Sequence, residues 1–115
     1  MPYLGLEKRK YPRIERAFLV YYTPLSGPKE FDLTQAKNIS LGGLLITTSR
    51  PLEKGLALSL KIRLPGNYYA NPTARVIESY RVKPDAQFYN TRLQFSSMND
   101  EERNAMSQTI ESFSK

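Results

Sequence analysis

Cysteine and histidine are both missing from this 115-residue chain. Without thiols, neither a disulfide nor a thiolate metal site can form. Without imidazole, the commonest general base and the commonest metal ligand are gone. Hydrolases built on a Ser-His or Cys-His pair are thereby excluded, and imidazole-ligated zinc enzymes with them. Long apolar runs are missing too: no stretch approaches the roughly eighteen apolar residues of a membrane span. The opening Met1, Pro2, Tyr3, Leu4, Gly5 shows no apolar segment behind a charged lead, so no secretory signal is read. Together these absences predict a cytoplasmic protein. Paired carboxylates are also lacking. Glu7, Glu15, Asp32, Glu53, Glu78 and Asp85 show no spacing that suggests acid–base work and read as solvated surface charge. No enzyme activity, metal site or cofactor is expected.

What is present is an ordinary globular composition, 40% apolar and 24% charged. The length suits one domain with a real core and little room for a second module. The net charge of +6 predicts attraction to anions in general, whether nucleic acid, acidic lipid or a phosphorylated small molecule. Alternation of period two dominates the middle of the chain. Leu56, Leu58, Leu60, Ile62 and Leu64 share one face of a strand, with Ala57, Ser59, Lys61 and Arg63 on the other. Further strands are predicted over 17–23, 31–38, 44–48, 73–82 and 88–95, rich in β-branched and aromatic residues. Turn signals separate them: Pro24 to Pro28, Gly42-Gly43, Glu53 to Gly55, Pro65 to Asn67 and Lys83 to Asp85. Six short strands at this spacing predict a small antiparallel barrel or sandwich, and closure into a barrel removes exposed edges. The period then changes. Asn99 and Glu102 fit a capping box, Asp100 to Glu102 suit the positive helix end, and Met106, Ile110 and Phe113 form one apolar stripe for packing on the barrel.

Two stretches carry the chemistry. The first is Glu7 to Arg16, with five cations in ten residues. Pro12 fixes its own φ and pushes Tyr11 toward extended geometry, so Arg9 and Arg13 are not a helical pair. They flank a turn-like segment entering the first strand, from which two guanidiniums can converge on one anion. An arginine fork matches phosphate oxygens, or O6 and N7 of guanine, bidentately. The second stretch is Asn38 to Gly43. Asn38 and Ser40 present amide and hydroxyl groups at a strand end. Gly42-Gly43 is read as a turn with positive φ and room for close approach of a ligand.

Arg9-x-x-x-Arg13 ahead of the first strand, followed by Asn38-x-Ser40-x-x-Gly43, resembles the PilZ domain, a family of bacterial receptors for cyclic di-GMP. The resemblance covers roughly residues 7 to 113. It implies a six-stranded antiparallel β-barrel with a C-terminal α-helix in a single domain, 1–115. An N-terminal arm would span 1–15, the barrel about 16–96 and the helix about 99–113. It also implies roles. Arg9 and Arg13 would clamp guanine edges and phosphates, and the arm would become ordered over the ligand. Asn38 and Ser40 would bond a guanine edge, and Gly43 would leave space for a flat base. Lys8 stands where many members carry another arginine; it keeps the charge but loses the stacking plane and the fork. Cyclic di-GMP carries two phosphate charges, and Lys8, Arg9, Lys10 and Arg13 supply cations to meet them. The implied function is a cyclic di-GMP receptor, monomer or homodimer, that relays the second messenger to a downstream protein partner. The alternative is a protein-interaction module of the same fold that binds no nucleotide. A third reading takes Tyr21, Tyr22, Tyr68, Tyr69 and Tyr80 as stacking platforms for single-stranded nucleic acid. Against it, most of these tyrosines are expected to finish the core or rim, and no nucleic-acid partner is expected.

Overall fold

The computed structural model describes residues 17–26 and 31–113. Seven strands and one helix follow in order: β1 (Phe18–Pro24), β2 (Asp32–Ile39), β3 (Gly43–Thr48), β4 (Ala57–Leu64), β5 (Tyr68–Ala70), β6 (Thr73–Arg81), β7 (Tyr89–Ser97) and α1 (Asp100–Phe113). All pairings are antiparallel, in the order β1-β2-β3-β7-β6-β4. A further pairing of β1 with β4 closes the ring into a six-stranded barrel. Closure leaves no unpaired edge among these six strands. The short β5 is an appendage on β4, with Ala70 opposite Ile62 and Tyr68 opposite Leu64.

The alternation read from sequence decides what lies inside. On β4, Leu58, Leu60, Ile62 and Leu64 are buried, while Lys61 and Arg63 are exposed. Val20, Ile39, Ile46, Leu93 and Met106 fill the same core. Burial of each such side chain stabilises the fold by about 1.5–3 kcal/mol before chain entropy is subtracted. One end of the interior is polar and is closed by a relay of hydroxyls. Thr91 Oγ1 shares hydrogen bonds with Thr48 Oγ1 (2.9 Å) and Ser79 Oγ (2.8 Å). Thr48 donates on to the Arg50 carbonyl, and Ser79 Oγ accepts from the Leu52 amide. Elsewhere at the barrel rim, burial and then Asp32 push the Tyr22 hydroxyl above its ordinary range, with Arg50 opposing.

Register shifts break the alternation at three places. One lies between Ala36 and Asn38 on β2, and two lie along the β6–β7 pair, between Thr73 and Ala74 and between Val76 and Glu78. A bulge adds one residue to one strand and turns the side chains beyond it to the other face. Ala36 and Ile39 are therefore both buried, three residues apart, and Asn38 faces outward opposite Leu45.

Helix α1 starts where the sequence predicts. Asn99 Oδ1 accepts from the Glu102 amide at 2.7 Å, and Glu102 Oε1 accepts from the Asn99 amide at 3.4 Å. Glu102 has a second role. It is buried, and its Oε2 accepts from the Asn71 amide at 2.7 Å, which ties the helix start to the β5–β6 link. Met106 and Ile110 enter the core, and the Phe113 ring sits 6.2 Å from that of Phe18. Substituting Glu102 with alanine removes the reciprocal half of the capping box and the bond to the part-buried Asn71 amide, while the Asn99 cap itself remains. The expected loss is about 1–2 kcal/mol, read as a lower urea midpoint at unchanged m.

Tyr68 and Tyr69 stand on β5, and Asn71 and Pro72 link it to β6. The Pro65 to Asn67 turn before β5 holds positive φ at Gly66 (83°) and Asn67 (61°).

Candidate functional site

The site begins at the β2–β3 corner. Asn38 is half-buried on the outer face at the end of β2, placed there by the bulge. Among the described residues, no hydrogen bond engages its amide, so both its donor and its acceptor are available. Ser40 is committed to the turn: its amide donates to the Gly43 carbonyl at 2.9 Å, and its Oγ accepts from the Gly42 amide at 3.1 Å. The hydroxyl thereby shapes the corner before any ligand arrives.

Gly43 differs from the expectation. Positive φ among the described glycines occurs at Gly55 and Gly66, not in the Gly42-Gly43 pair. The pressure on Gly43 is steric. A Cβ there would overlap the Leu93 carbonyl oxygen and lie 3.1 Å from its carbon and 3.2 Å from the Gln94 Cα, all backbone of the neighbouring β7. The strands are drawn together at this point, with the Phe95 amide donating to the Gly42 carbonyl at 2.9 Å.

The strand order adds residues that sequence reasoning did not connect to the site. Across the outer wall, Asn38 lies opposite Leu45, Leu45 opposite Arg92, and Arg92 opposite Glu78. The next row runs from Gly43 to Gln94 and Arg75. Two strand spacings separate Asn38 from Arg92, roughly 10 Å. Arg92 Nε stands 3.5 Å from Glu78 Oε2, and both side chains are about half-exposed, so solvent weakens the pair. The guanidinium can exchange that contact for a phosphate with little loss. The alternation of Thr91, Arg92, Leu93 and Gln94 was legible, but its place beside Asn38 needed the topology.

Lys8, Arg9 and Arg13 lie outside the described residues. The structure brings Asn38, Ser40 and Gly43 together, which leaves a polar corner, an open wall and one added cation. That arrangement suits a planar hydrogen-bonding group next to an anion. Among the described residues, no group of three or more acidic side chains could hold a metal.

No curated protein matches the chain in sequence. Solved structures do match in fold. The Bacillus subtilis inhibitor of motility MotI/DgrA superposes with a TM-score of 0.80 at 23% identity, covering 92% of this chain and 51% of that one. The PilZ domain of Escherichia coli YcgR with c-di-GMP gives 0.74 at 17% identity, covering 94% of this chain and 92% of that domain. The K. pneumonia MrkH–c-di-GMP complex gives 0.71 at 21% identity, covering 89% of this chain and 50% of that one. The chain thus spans about half the length of MotI and MrkH. The PilZ domain family model matches residues 7–112, nearly the whole sequence, and the chain belongs to the PilZ family.

Proposed function

We propose that this chain is a bacterial cytoplasmic receptor for cyclic di-GMP, without catalytic activity. The ligand lies on the outer wall of β2, β3 and β7. Arg9 and Arg13 of the arm clamp guanine edges and phosphates from one side, and Lys8 adds charge. From the other side Asn38 bonds a guanine edge and Ser40 holds the corner. Arg92 supplies a further cation on the wall. Fixing the arm against the barrel presents a changed surface to a downstream protein.

The observation that carries this reading is the outward, unengaged amide of Asn38 beside the Ser40–Gly43 turn. A half-buried amide with no partner is open to a ligand's donor and acceptor. The nucleotide in the E. coli YcgR and K. pneumonia MrkH structures supports the choice of ligand by analogy of fold.

Isothermal titration of cyclic di-GMP into the intact chain tests it. Saturable binding is expected. Asn38→Ala should weaken it by about 1–2 kcal/mol, roughly 5- to 30-fold in Kd, with the melting temperature unchanged because no hydrogen bond among the described residues engages the amide. A well-folded wild type that gives no heat would favour the nucleotide-free interaction module instead.

A further inference from the structure

The barrel has a second built surface, centred on the seam between β1 and β4. In the ring β1-β2-β3-β7-β6-β4, the β1–β4 seam lies opposite the β3–β7 seam. On the outer face of that seam Tyr21 stands between Leu33 of β2 and Lys61 of β4, and Arg63 lies opposite Tyr69 of β5. Tyr21, Phe31, Lys61, Tyr69 and Asn71 line an open depression of about 540 Å³. The Lys61 ammonium sits 5.6 Å from the centre of the Phe31 ring. Phe31 and Tyr69 are about two-fifths exposed and Leu33 is 57% exposed, well beyond what an isolated surface apolar residue needs.

We infer that this wall docks an acidic protein segment that inserts an apolar side chain into the depression. Mixed aromatic and aliphatic exposure around a central hollow is the composition of a protein-binding surface. The charge selects the partner. Strands β1, β4 and β5 carry no Asp or Glu and expose Lys61 and Arg63 at the centre of the wall, while the carboxylates of Asp32 on β2 and Glu101 on α1 stand at its margins. The carboxylate that reaches Asn71 belongs to Glu102, which is buried and committed to the helix cap.

A second copy of this chain fits poorly. A two-fold contact through the seam would bring Lys61 and Arg63 against cations, in a chain already at +6. The chain's own residues 7–16 are no better, with five cations against Glu7 and Glu15. Single-stranded nucleic acid is disfavoured by the same inventory. Arg63 donates to Asn67 Oδ1 at 2.7 Å, Lys61 packs on Phe31, and Leu33 offers no stacking plane, so no phosphate track runs along the wall. The surface is independent of the nucleotide reading and can be tested without nucleotide.

The experiment is amide NMR of the nitrogen-15-labelled chain, titrated with three probes. The first is a short peptide with phenylalanine and leucine flanked by aspartates and glutamates. The second has lysines in place of the acids, and the third is oligodeoxythymidine. Shifts clustered at Tyr21, Lys61 and Tyr69 are expected with the acidic peptide alone. Lys61→Glu should weaken that peptide at least roughly tenfold and transfer preference to the lysine peptide, and Tyr69→Ala should weaken it without charge reversal. The charge swap separates recognition from misfolding, because an unfolded variant gains no new partner. Any of four results would overturn the inference: no shift, shifts on another wall, oligonucleotide binding at this one, or concentration-dependent dimerisation through it.

Discussion

Replacing Gly43 with alanine should cost about 3 kcal/mol or more of stability and lower the melting temperature by roughly 10 °C or more, with or without ligand. The cause lies between β3 and β7. A methyl group at this position overlaps the Leu93 carbonyl oxygen and crowds the Gln94 Cα, and neither is the movable end of a side chain. Relief requires the two strands to part. That would break the 2.9 Å bond from the Phe95 amide to the Gly42 carbonyl and loosen the Ser40 corner, which is closed on the Gly43 carbonyl. A domain of this size has only about 5–15 kcal/mol of net stability, so one such change removes a large share of it. Thermal unfolding followed by circular dichroism measures the effect, with Asn38→Ala as the neighbouring control expected to melt as wild type. A wild-type melting temperature for Gly43→Ala would show that the backbone relaxes and would leave ligand clearance as the reason for the glycine. The distinction matters for the site. If the variant loses nucleotide binding together with its fold, that loss says nothing about a base resting on Gly43.

Much of the architecture was legible because burial follows alternation. The β4 pattern from Leu58 to Leu64 is buried as read, and the Asn99–Glu102 cap starts the helix as read. Three features were hidden for physical reasons. A strand of three residues, β5, is too short to show a period. Its presence depends on pairing with β4 and on the turn at Gly66 and Asn67. The bulges are invisible to a strict period of two. Continued alternation from Ala36 would have placed Asn38 in the core, and the extra residue at Lys37 sends it out to the wall. Lys37 itself donates to Asn90 Oδ1 at 2.9 Å, which pins the irregular strand across to β7. Finally, closure is a property of the whole sheet. Only the order of strands reveals that Arg92 shares a row with Asn38, and that Tyr21, Lys61 and Tyr69 gather at the β1–β4 seam.

Converting Arg9 and Arg13 together to alanine should weaken cyclic di-GMP binding by two to four decades. A charge-assisted hydrogen bond to phosphate or to a guanine acceptor is worth about 1.5–3 kcal/mol, so two guanidiniums supply roughly 3–6 kcal/mol if their effects add. Both arginines serve one ligand, so the single variants measure how far they act as a unit. Arginine-to-lysine changes divide charge from shape. Lysine keeps the cation and loses the planar fork, so the double-lysine variant should bind between wild type and double alanine. Its binding should also fall more steeply with added salt than that of wild type, because a point charge retains the screened part of the attraction and little of the bidentate part. Among the described residues the barrel core is built from residues 18–110, and the double-alanine variant is expected to melt as wild type. Titration calorimetry at two salt concentrations, with melting curves for each variant, reads all of this. If double alanine binds as tightly as wild type, the anion is held elsewhere. Arg92 and Arg75 on the outer wall would then be the cations to change next.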